Sequence, residues 1–251
     1  MSAVVVIVQA RMGSSRLPGK MLMDVLGQPL LLRTLDRAMA IPGVDEVVLA
    51  TTSLPEDQQL LEMAEAAGAQ GFAGDPEDVL DRYHAAARKH GAGTIMRLTG
   101  DCPLLDPSVS ELALSRFVQG DIGYASNINP PTFPDGLDTE VFSFAALDAA
   151  WKESTLKSDR EHVTQFIRRQ PERFKSANVS NDTDLSHLRW TVDDPEDLEF
   201  VRSVYDGLAK RGWRGYDLTQ LLHVIEEDNL EDASSLHQRN EGLLKSLQSD
   251  K

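Results

Sequence analysis

A cationic loop directly after the first apolar run contains the residues best suited to chemistry. The apolar run Val4–Val8 is followed by QARMGSSRLPGK, in which three cations lie within ten residues, Arg11, Arg16 and Lys20. The first acidic residue is Asp24, although the chain of 251 residues has a formal net charge of −15. Backbone N–H groups and cations in a loop at the carboxyl end of a buried strand can bind a polyphosphate. The loop therefore predicts a site for a nucleoside triphosphate.

Small residues accompany these cations and make the phosphate interpretation more specific. Gly13, Ser14, Ser15 and Gly19 supply flexible backbone and small hydrogen-bond donors. Three cations alone would more often belong to an ordinary solvated loop. Their ordered spacing with Gly, Ser and Pro after a strand favours phosphate binding.

Two aspartates far apart in sequence each follow a predicted strand. Asp101 lies in RLTGDCPL and Asp193 lies in RWTVDD. Mg²⁺ prefers one or two carboxylates together with water and phosphate oxygens, so the two could converge on one magnesium ion. A helix cap or turn is the alternative for each, and Pro103 favours a turn after Asp101. Cations and carboxylates together indicate phosphoryl or nucleotidyl transfer, in which they stabilise charge on the α-phosphate and the departing pyrophosphate.

Other sites are weakened by missing motifs. The chain has no GxxxxGK[ST], no GxGxxG after a strand and no GxSxG, which argues against a P-loop, a dinucleotide site and a hydrolase nucleophile. The six histidines lack metal-ligand spacing, and the lone Cys102 excludes an internal disulfide. A pI near 4.8 argues against nucleic acid or an anionic membrane as partner. With no apolar run of about 18 residues and no secretory signal, we expect a cytoplasmic protein.

Strand and helix signals alternate along the chain, which predicts a mostly parallel α/β sheet covered on both faces. Ligands in such sheets bind beyond the carboxyl ends of the strands. The predicted strands are Val4–Val8, Glu46–Thr51, Gln70–Ala73, Thr94–Leu98, Gly123–Ala125, Phe174–Val179 and Leu188–Val192. The predicted helices are Pro29–Ala40, Pro55–Ala67, Pro76–Lys89, Pro107–Val118, Ser158–Arg169 and Pro195–Lys210. We expect one domain over residues 1–228 and a polar tail over 229–251.

The middle of the chain departs from this alternation. Asn127–Asp138 is rich in Asn, Pro and Gly and predicts a loop, and Leu137–Phe144 alternates as a half-exposed strand should. Residues of about 127–145 therefore read as an excursion from the sheet that covers a substrate or dimerises. Asp75 and Asp194 each precede a proline and further acids, which predicts two helix N-caps.

The ordered set of motifs resembles the cytidylyltransferases that make CMP-activated acidic sugars, such as 3-deoxy-manno-octulosonate and acylneuraminate cytidylyltransferases. It is most similar to the spore-coat polysaccharide synthesis protein F branch of that family. The segments that carry the likeness span nearly the whole chain: ARMGSSRLPGK (10–20), GDPEDVLDRY (74–83), RLTGDCPL (97–104), PDGLDTEVF (134–142), REHVT (160–164), TVDDPEDL (191–198) and RNEG (239–242).

This resemblance implies a Rossmann-like nucleotide-diphospho-sugar transferase fold, a Mg²⁺ requirement and a homodimer. It implies transfer of CMP from CTP to an acidic sugar, with release of pyrophosphate. Arg11, Arg16 and Lys20 would hold the triphosphate, and Asp101 and Asp193 would hold Mg²⁺. The other nucleotide contacts implied are Ala10, Gly13, Ser14, Ser15, Arg82, Thr99 and Gly100. The acceptor contacts implied are Asp135, Asp138, Glu140, Glu161 and His162; for His162 a structural role is an equal alternative.

Departures from the family pattern leave the two substrates open. The octulosonate enzymes have Gln-Gly before the metal-binding Asp, where this chain has Thr99-Gly100, and that Gln helps read the pyrimidine. The acceptor segment also differs, so a nearly neutral sugar, a phosphonate or another small phosphorylated acceptor remains an alternative. Carboxylates at the acceptor positions would repel an acid unless arginine or metal neutralised them. The competing functions are a sugar-nucleotide-dependent glycosyltransferase and a non-catalytic nucleotide-binding module.

Overall fold

A computed structural model of the chain describes residues 3–232 together with Arg239, Leu243, Ser246, Leu247 and Asp250. The strands described are β1 (Ala3–Gln9), β2 (Asp24–Val25), β3 (Gln28–Pro29), β4 (Glu46–Thr52), β5 (Gln70–Gly74), β6 (Ala92–Thr99), β7 (Tyr124–Ser126), β8 (Glu140–Ser143) and β9 (Ser176–Asn178). The helices described are α1 (Leu30–Met39), α2 (Gln58–Ala66), α3 (Val79–Lys89), α4 (Pro107–Val118), α5 (Phe144–Glu153), α6 (Lys157–His162), α7 (Gln165–Arg168), α8 (Pro195–Lys210) and α9 (Leu218–Glu227). The predicted tail 229–251 lies mostly outside the described residues.

Seven of these strands form one sheet in the order β5-β4-β1-β6-β8-β7-β9, and β2 pairs with β3 in a small hairpin. The four strands from β5 to β6 are parallel, which confirms the predicted mostly parallel sheet. β8 runs antiparallel to both of its neighbours, and β9 is again parallel to β7. None of the helices in the described part of the chain has both the length and the apolar character that a membrane span requires.

Alternate side chains of β1 reach two separate hydrophobic cores, one on each face of the sheet. Val6 and Val8 pack with helices α1, α2, α4, α8 and α9. Val5 and Ile7 pack with helices α3, α5 and α7. Because both faces are covered, the strand reads in the sequence as a continuous apolar run.

The predicted excursion at about 127–145 is wrong for its second half. Glu140–Ser143 forms β8 inside the sheet, between β6 and β7, and Glu140, Val141 and Phe142 are buried. The strand is therefore not half-exposed. The alternating pattern was misleading because the polar Glu140 is not solvated: it is buried and paired with Arg97.

The predicted helix Ser158–Arg169 is divided into α6 and α7. Val163, between them, has a φ of 59°, a left-handed conformation that a β-branched residue rarely adopts. The break turns Thr164 inward, where its hydroxyl donates a 2.6 Å hydrogen bond to Glu140. The residue pattern alone carried no sign of this turn.

Two further predictions are corrected at the edges of elements. Leu188–Val192 is not a strand of the sheet: it makes one isolated parallel bridge, Arg189 to Asp135. Helix α3 begins at Val79 rather than Pro76, and its N-cap is Asp78, whose side chain accepts from the Asp81 N–H. Asp75 is not the N-cap of α3: it accepts hydrogen bonds from the backbone N–H groups of Glu77 and Asp78 in the turn before that helix. Asp194 is the N-cap of α8, as predicted.

Candidate active site

A cleft opens where the parallel strands β1 and β6 end, and it has two compartments. The loop compartment, of about 540 Å³, is bordered by the cationic loop after β1. The arginine compartment, of about 300 Å³, is lined by Arg97, Arg168 and Arg189. The residues that line both are Arg16, Thr99, Asp101, His162 and Asp193. The boundary between the compartments thus contains one predicted phosphate contact and both predicted metal ligands.

The ammonium group of Lys20 joins the two aspartates. Its Nζ atom lies 2.9 Å from Oδ2 of Asp101 and 2.9 Å from Oδ1 of Asp193. It also donates a 2.7 Å hydrogen bond to the backbone carbonyl oxygen of Val192. The two aspartates therefore converge on one point, as the sequence analysis expected, while their role as metal ligands stays a prediction.

Backbone pairing explains why residues so distant in sequence meet here. The parallel register of β1 and β6 sets Gln9 beside Thr99, so the chain leaves both strands at the same edge of the sheet. The carbonyl oxygen of Asp101 accepts a 2.9 Å hydrogen bond from the Val192 N–H, which brings Asp193 to the same edge.

The electrostatics of this cluster favour the charged forms. Burial alone would lower the pKa of Lys20, but the carboxylates of Asp101 and Asp193 outweigh it and raise the pKa. Burial alone would raise the pKa of Asp101, but the contact with Lys20 holds it below the ordinary value. The contact between Lys20 and Asp101 therefore favours the charged form of each.

Arg16 adds a second cation on the open side of the cluster. Its guanidinium group lies 2.9 Å from Asp193 and 3.3 Å from Asp194, and its side chain is 41% exposed. A cation that remains accessible to solvent can also contact an anionic ligand in the cleft.

The donor set at Asp101 and Asp193 fits Mg²⁺ in its chemistry. Both are carboxylates, the hard oxygen ligands that this ion prefers, and Mg²⁺ usually takes only one or two of them beside phosphate oxygens. Within residues 3–232 and the five described beyond them, no cluster of three or more His, Cys, Asp or Glu could hold a metal. A magnesium ion here would thus depend on a phosphate ligand to complete its coordination.

The small residues of the cationic loop lie where the sequence analysis expected them. Ala10, Gly13 and Ser15 line the loop compartment together with the exposed Arg11. Ser14 also lines it, and its hydroxyl oxygen accepts a 3.2 Å hydrogen bond from the Leu17 N–H, which fixes the turn of the loop.

A buried carboxylate that the sequence analysis missed supports the start of the loop. Oδ1 of Asp57 accepts a 2.7 Å hydrogen bond from the Met12 N–H, and its other oxygen is hydrogen-bonded to the Thr52 hydroxyl. Asp57 is 1% exposed. In the sequence it reads only as an acid at the start of a helix, because its partner is 45 residues away.

Gly100, a predicted nucleotide contact, lines neither compartment. A Cβ atom at this position would lie 2.8 Å from Cβ of Ala10 and 3.1 Å from the carbonyl oxygen of Gln9. Its own carbonyl oxygen accepts from the Thr34 hydroxyl at 2.9 Å. Gly100 therefore acts as a spacer that allows the ends of β1 and β6 to approach. The adjacent Thr99 does line the cleft, and its hydroxyl lies 3.1 Å from the sulfur of Cys102.

Arg82 is a buried cation at the wall of the loop compartment. It is 3% exposed, and its Nε and Nη1 atoms have no hydrogen-bond partner in the part of the chain that the structure describes. Gly74 makes room for it, since a Cβ there would lie 3.1 Å from Cγ of Arg82. Burial lowers the pKa of Arg82. Buried donors without partners are costly, so this arrangement favours a ligand that accepts from them.

The predicted acceptor residues divide between the two compartments. Asp135, Asp138, Glu140 and His162 line the arginine compartment. Glu161 is exposed and lines the loop compartment instead, so the structure separates it from the rest of the group.

Glu140 is already satisfied by the protein. Its Oε1 atom accepts hydrogen bonds of 2.6 Å from the hydroxyls of Tyr124 and Thr164, and its Oε2 atom pairs with Arg97. Burial alone would raise its pKa, but Arg97 holds the pKa below its usual value. These contacts assign Glu140 a positioning role and leave it little capacity to bind an acceptor directly.

The other two carboxylates of the arginine compartment differ in their partners. Asp138 forms an ion pair with Arg239. Burial raises its pKa to about 7, with the charges of Asp135 and Glu140 acting in the same direction and Arg239 opposing them. Burial also raises the pKa of Asp135, whose backbone pairs with Leu188 and Trp190.

Three arginines of this compartment were not predicted as site residues. Arg97 and Arg189 begin the motifs RLTGDCPL and RWTVDD, four residues before Asp101 and Asp193. Their shared position in the two motifs could have indicated that they belong to the site. Arg97 pairs with Glu140, and Arg189 pairs with Asp197 and lies 3.0 Å from Asp193. Arg168 had no such signal.

His162 lies at the boundary of the two compartments. Its Nε2 atom is 3.0 Å from the hydroxyl of Ser246, and burial lowers its pKa. The same hydroxyl lies 2.6 Å from Oε2 of Glu161. His162 and Glu161 are thus both linked to Ser246, which lies near the C-terminus.

Comparison with known proteins places this architecture in one family. A family model described as cytidylyltransferase matches residues 5–236. The spore coat polysaccharide biosynthesis protein SpsF of Bacillus subtilis is 31% identical over 84% of this chain and 90% of its own length. A 3-deoxy-manno-octulosonate cytidylyltransferase of Anaeromyxobacter dehalogenans is 37% identical over 94% of this chain and 98% of its own length.

A solved structure gives the same result in three dimensions. A cytidylyltransferase from Leptospira borgpetersenii superposes with a TM-score of 0.85 at 31% identity, over 91% of this chain and 96% of that one. The Rossmann-like fold predicted from the resemblance is therefore confirmed. With a family model that matches most of its length, this chain belongs to the cytidylyltransferase family, the CTP-dependent nucleotidyltransferases.

Proposed function

We propose that this enzyme transfers CMP from CTP to an acidic sugar in a Mg²⁺-dependent reaction that releases pyrophosphate. The observation that carries the proposal is the meeting of Lys20, Asp101 and Asp193 at the boundary of two compartments. A reaction between a nucleotide and an acceptor needs such a boundary, since the reacting atoms must come from opposite sides.

The loop compartment suits the triphosphate in its charge. Arg11, Arg16 and Lys20 line it, and Arg82 adds a buried cation with unused donors. A diphosphate would need fewer cations, so this set supports a triphosphate substrate over a sugar nucleotide.

Asp101 and Asp193 would hold the magnesium ion together with phosphate oxygens of CTP. When bound, the ion would supply electrostatic stabilisation of the charge that develops on the phosphates. Lys20 touches both aspartates, so it would hold the two carboxylates in place and stay within reach of the phosphates. Asp193 is also fixed by Arg16 and Arg189.

The chemical step needs no nucleophile from the protein. A hydroxyl oxygen of the acceptor forms a bond to the α-phosphorus and releases its proton to solvent, while the bond from that phosphorus to the bridging oxygen breaks and pyrophosphate leaves. Arg16 and Lys20 stabilise the negative charge that builds up on the leaving group. The arginine compartment orients the acceptor at the opposite side of the boundary.

The arginine compartment favours an acceptor with a negative charge. Arg97 and Arg189 are paired with carboxylates, whereas Arg168 lines the cavity and forms no ion pair within the described residues. Asp138 is neutralised by Arg239, which removes most of the repulsion that an acid would otherwise meet. The names of the two relatives, one acting in spore-coat polysaccharide synthesis and one on 3-deoxy-manno-octulosonate, support surface-polysaccharide biosynthesis as the pathway.

The proposal includes the localisation and the oligomeric state of the enzyme. We propose a cytoplasmic homodimer, on the strength of the family resemblance and of the sequence features given above. Sedimentation velocity measures the mass of the particle directly, and a monomer at micromolar concentration would contradict the dimer.

Pyrophosphate release tests the proposed reaction. The protein is incubated with Mg²⁺ and each of the four nucleoside triphosphates, across a panel of acceptors that includes 3-deoxy-manno-octulosonate, N-acetylneuraminate, a neutral hexose and a sugar phosphate. We expect pyrophosphate with CTP and an acidic sugar. Release with another triphosphate or only with a neutral sugar would contradict the assigned substrates, and binding of CTP without pyrophosphate from any acceptor would favour a non-catalytic module.

A further inference from the structure

The C-terminal segment, by which we mean the described residues Arg239, Leu243, Ser246 and Asp250, contacts the arginine compartment and its surroundings. Arg239 forms an ion pair with Asp138 and donates a 3.0 Å hydrogen bond from Nη1 to the carbonyl oxygen of Phe133. Leu243 lines the wall of the compartment. The guanidinium side chain of Arg239 is only 15% exposed. Leu243 thus forms part of the cavity in which the acceptor is proposed to bind, and Arg239 contacts Asp138, which lines the same cavity.

Three further contacts hold Ser246 and Asp250 of the segment against α6. The hydroxyl of Ser246 lies 2.6 Å from Glu161 and 3.0 Å from Nε2 of His162. Asp250 accepts a 3.1 Å hydrogen bond from the Ser158 N–H. The segment therefore contacts α6 as well as the loop that contains Asp138, which are the two sides of the arginine compartment.

The contacts of Arg239 lie on the acceptor side of the cleft. Its partners in the described part of the chain, Asp138 and Phe133, both belong to the loop between β7 and β8, and neither lines the loop compartment. Loss of Arg239 should thus affect one substrate and spare the other.

We propose that Leu243 completes the wall of the arginine compartment, and that Arg239 is a positioning residue whose ion pair with Asp138 acts as a latch for binding of the acceptor. The proposal rests on the proposed function, since it takes the arginine compartment as the acceptor site. Arg239 acts in two ways: it holds Leu243 at the cavity wall, and it neutralises a carboxylate that would otherwise repel an acidic acceptor.

The kinetic test compares Arg239→Gln, Arg239→Lys, Asp138→Asn and the double variant that combines Asp138→Asn with Arg239→Gln. The acceptors are 3-deoxy-manno-octulosonate and N-acetylneuraminate. We expect Arg239→Gln to raise KM for the acceptor by about tenfold or more, the loss of one charge-assisted contact, while KM for CTP stays unchanged. Arg239→Lys should recover part of the loss, because it keeps the charge. Adding Asp138→Asn to Arg239→Gln should cost less than the two separate effects combined, because both changes remove one contact.

A matched control is Arg211→Gln. Arg211 forms an ion pair of similar exposure with Asp228, far from the cleft. Both KM values should remain those of the wild type in this variant. Equal effects of Arg211→Gln and Arg239→Gln on the acceptor would overturn a specific role for Arg239.

Hydrogen–deuterium exchange tests the latch without any substrate. We expect Arg239→Gln to accelerate amide exchange in the peptide that covers residues 133–138 and to leave β4 unchanged. Unchanged exchange would overturn the latch. Faster exchange with an unchanged acceptor KM would overturn the role in acceptor binding. If the wild type releases no pyrophosphate with either acid, the proposed function and the acceptor role fall together, while the exchange result still decides whether Arg239 holds the segment.

Discussion

At the scale of single residues, Lys20 connects the parts of the site. It is buried, yet its pKa is raised because two carboxylates neutralise it. Removal of one partner from a buried charge cluster leaves the remaining charges uncompensated, which is costly. The sequence indicated its charge and its position in the loop, but nothing in the sequence showed that it would contact both aspartates.

Lys20→Ala should reduce kcat for pyrophosphate release by about 10²–10³-fold, the usual effect of removing one donor to developing charge. The thermal unfolding transition, recorded by circular dichroism, shows whether the variant is folded. Lys210→Ala is the matched control, because Lys210 pairs with Asp206 on the surface of α8. A folded Lys20→Ala protein with the wild-type kcat would contradict the assignment of the loop.

At the scale of secondary-structure elements, the first half of the fold was predictable and the middle was not. The strands β1 and β4 contain continuous apolar runs because both of their faces are covered, so their pattern is unambiguous. The sequence pattern predicted a half-exposed strand at β8, because a glutamate normally faces solvent. Glu140 is buried instead, since it pairs with Arg97 of the neighbouring strand, and the local sequence does not show that contact. Positive φ at Val163 likewise follows from the surrounding packing, which propensity alone does not report.

The buried pair of Glu140 and Arg97 predicts a pH-dependent stability difference. Glu140→Gln should lower the free energy of unfolding by about 3–5 kcal/mol at neutral pH, because it leaves Arg97 buried and unpaired. The folded-state pKa of Glu140 is depressed below 4.5, so its contribution is present above that pH and is lost as the pH falls through the folded-state value.

Urea denaturation of the wild type and of Glu140→Gln at a series of pH values measures this difference. We expect the two curves of stability against pH to approach each other below pH 4.5. A constant difference across the series would show that the carboxylate charge of Glu140 does not stabilise the fold.

Close packing at the strand ends predicts a second effect. Gly100→Ala would bring a Cβ to 2.8 Å from Ala10 and force the ends of β1 and β6 apart. We expect a loss of about 1–3 kcal/mol in unfolding free energy, as for other overpacked positions, and a weaker affinity for CTP. Gly215→Ala is the control, since a Cβ there would meet no atom within 4 Å. Equal stability of the two variants by denaturant titration would refute the spacer role.

At the scale of the whole molecule, a chain of net charge −15 places Arg11, Arg16, Lys20 and Arg82 beside one cleft. The parallel register of β1 and β6 and the return of the chain through Asp193 bring the charged residues together. The sequence sufficed to predict the sheet class, the cationic loop and the pair of aspartates, because each has a local pattern. It did not show Asp57, Arg168 or the latch at Arg239, because these depend on contacts between distant segments.

The most direct test of the account is the effect of Mg²⁺ on CTP binding, measured by isothermal titration calorimetry. The account predicts that Mg²⁺ tightens CTP binding to the wild type and to the surface control Asp121→Asn, whose side chain is fully exposed. It predicts that this gain is largely lost in Asp101→Asn and in Asp193→Asn. An equal gain from Mg²⁺ in all four proteins would contradict a magnesium-bound triphosphate held between Lys20, Asp101 and Asp193.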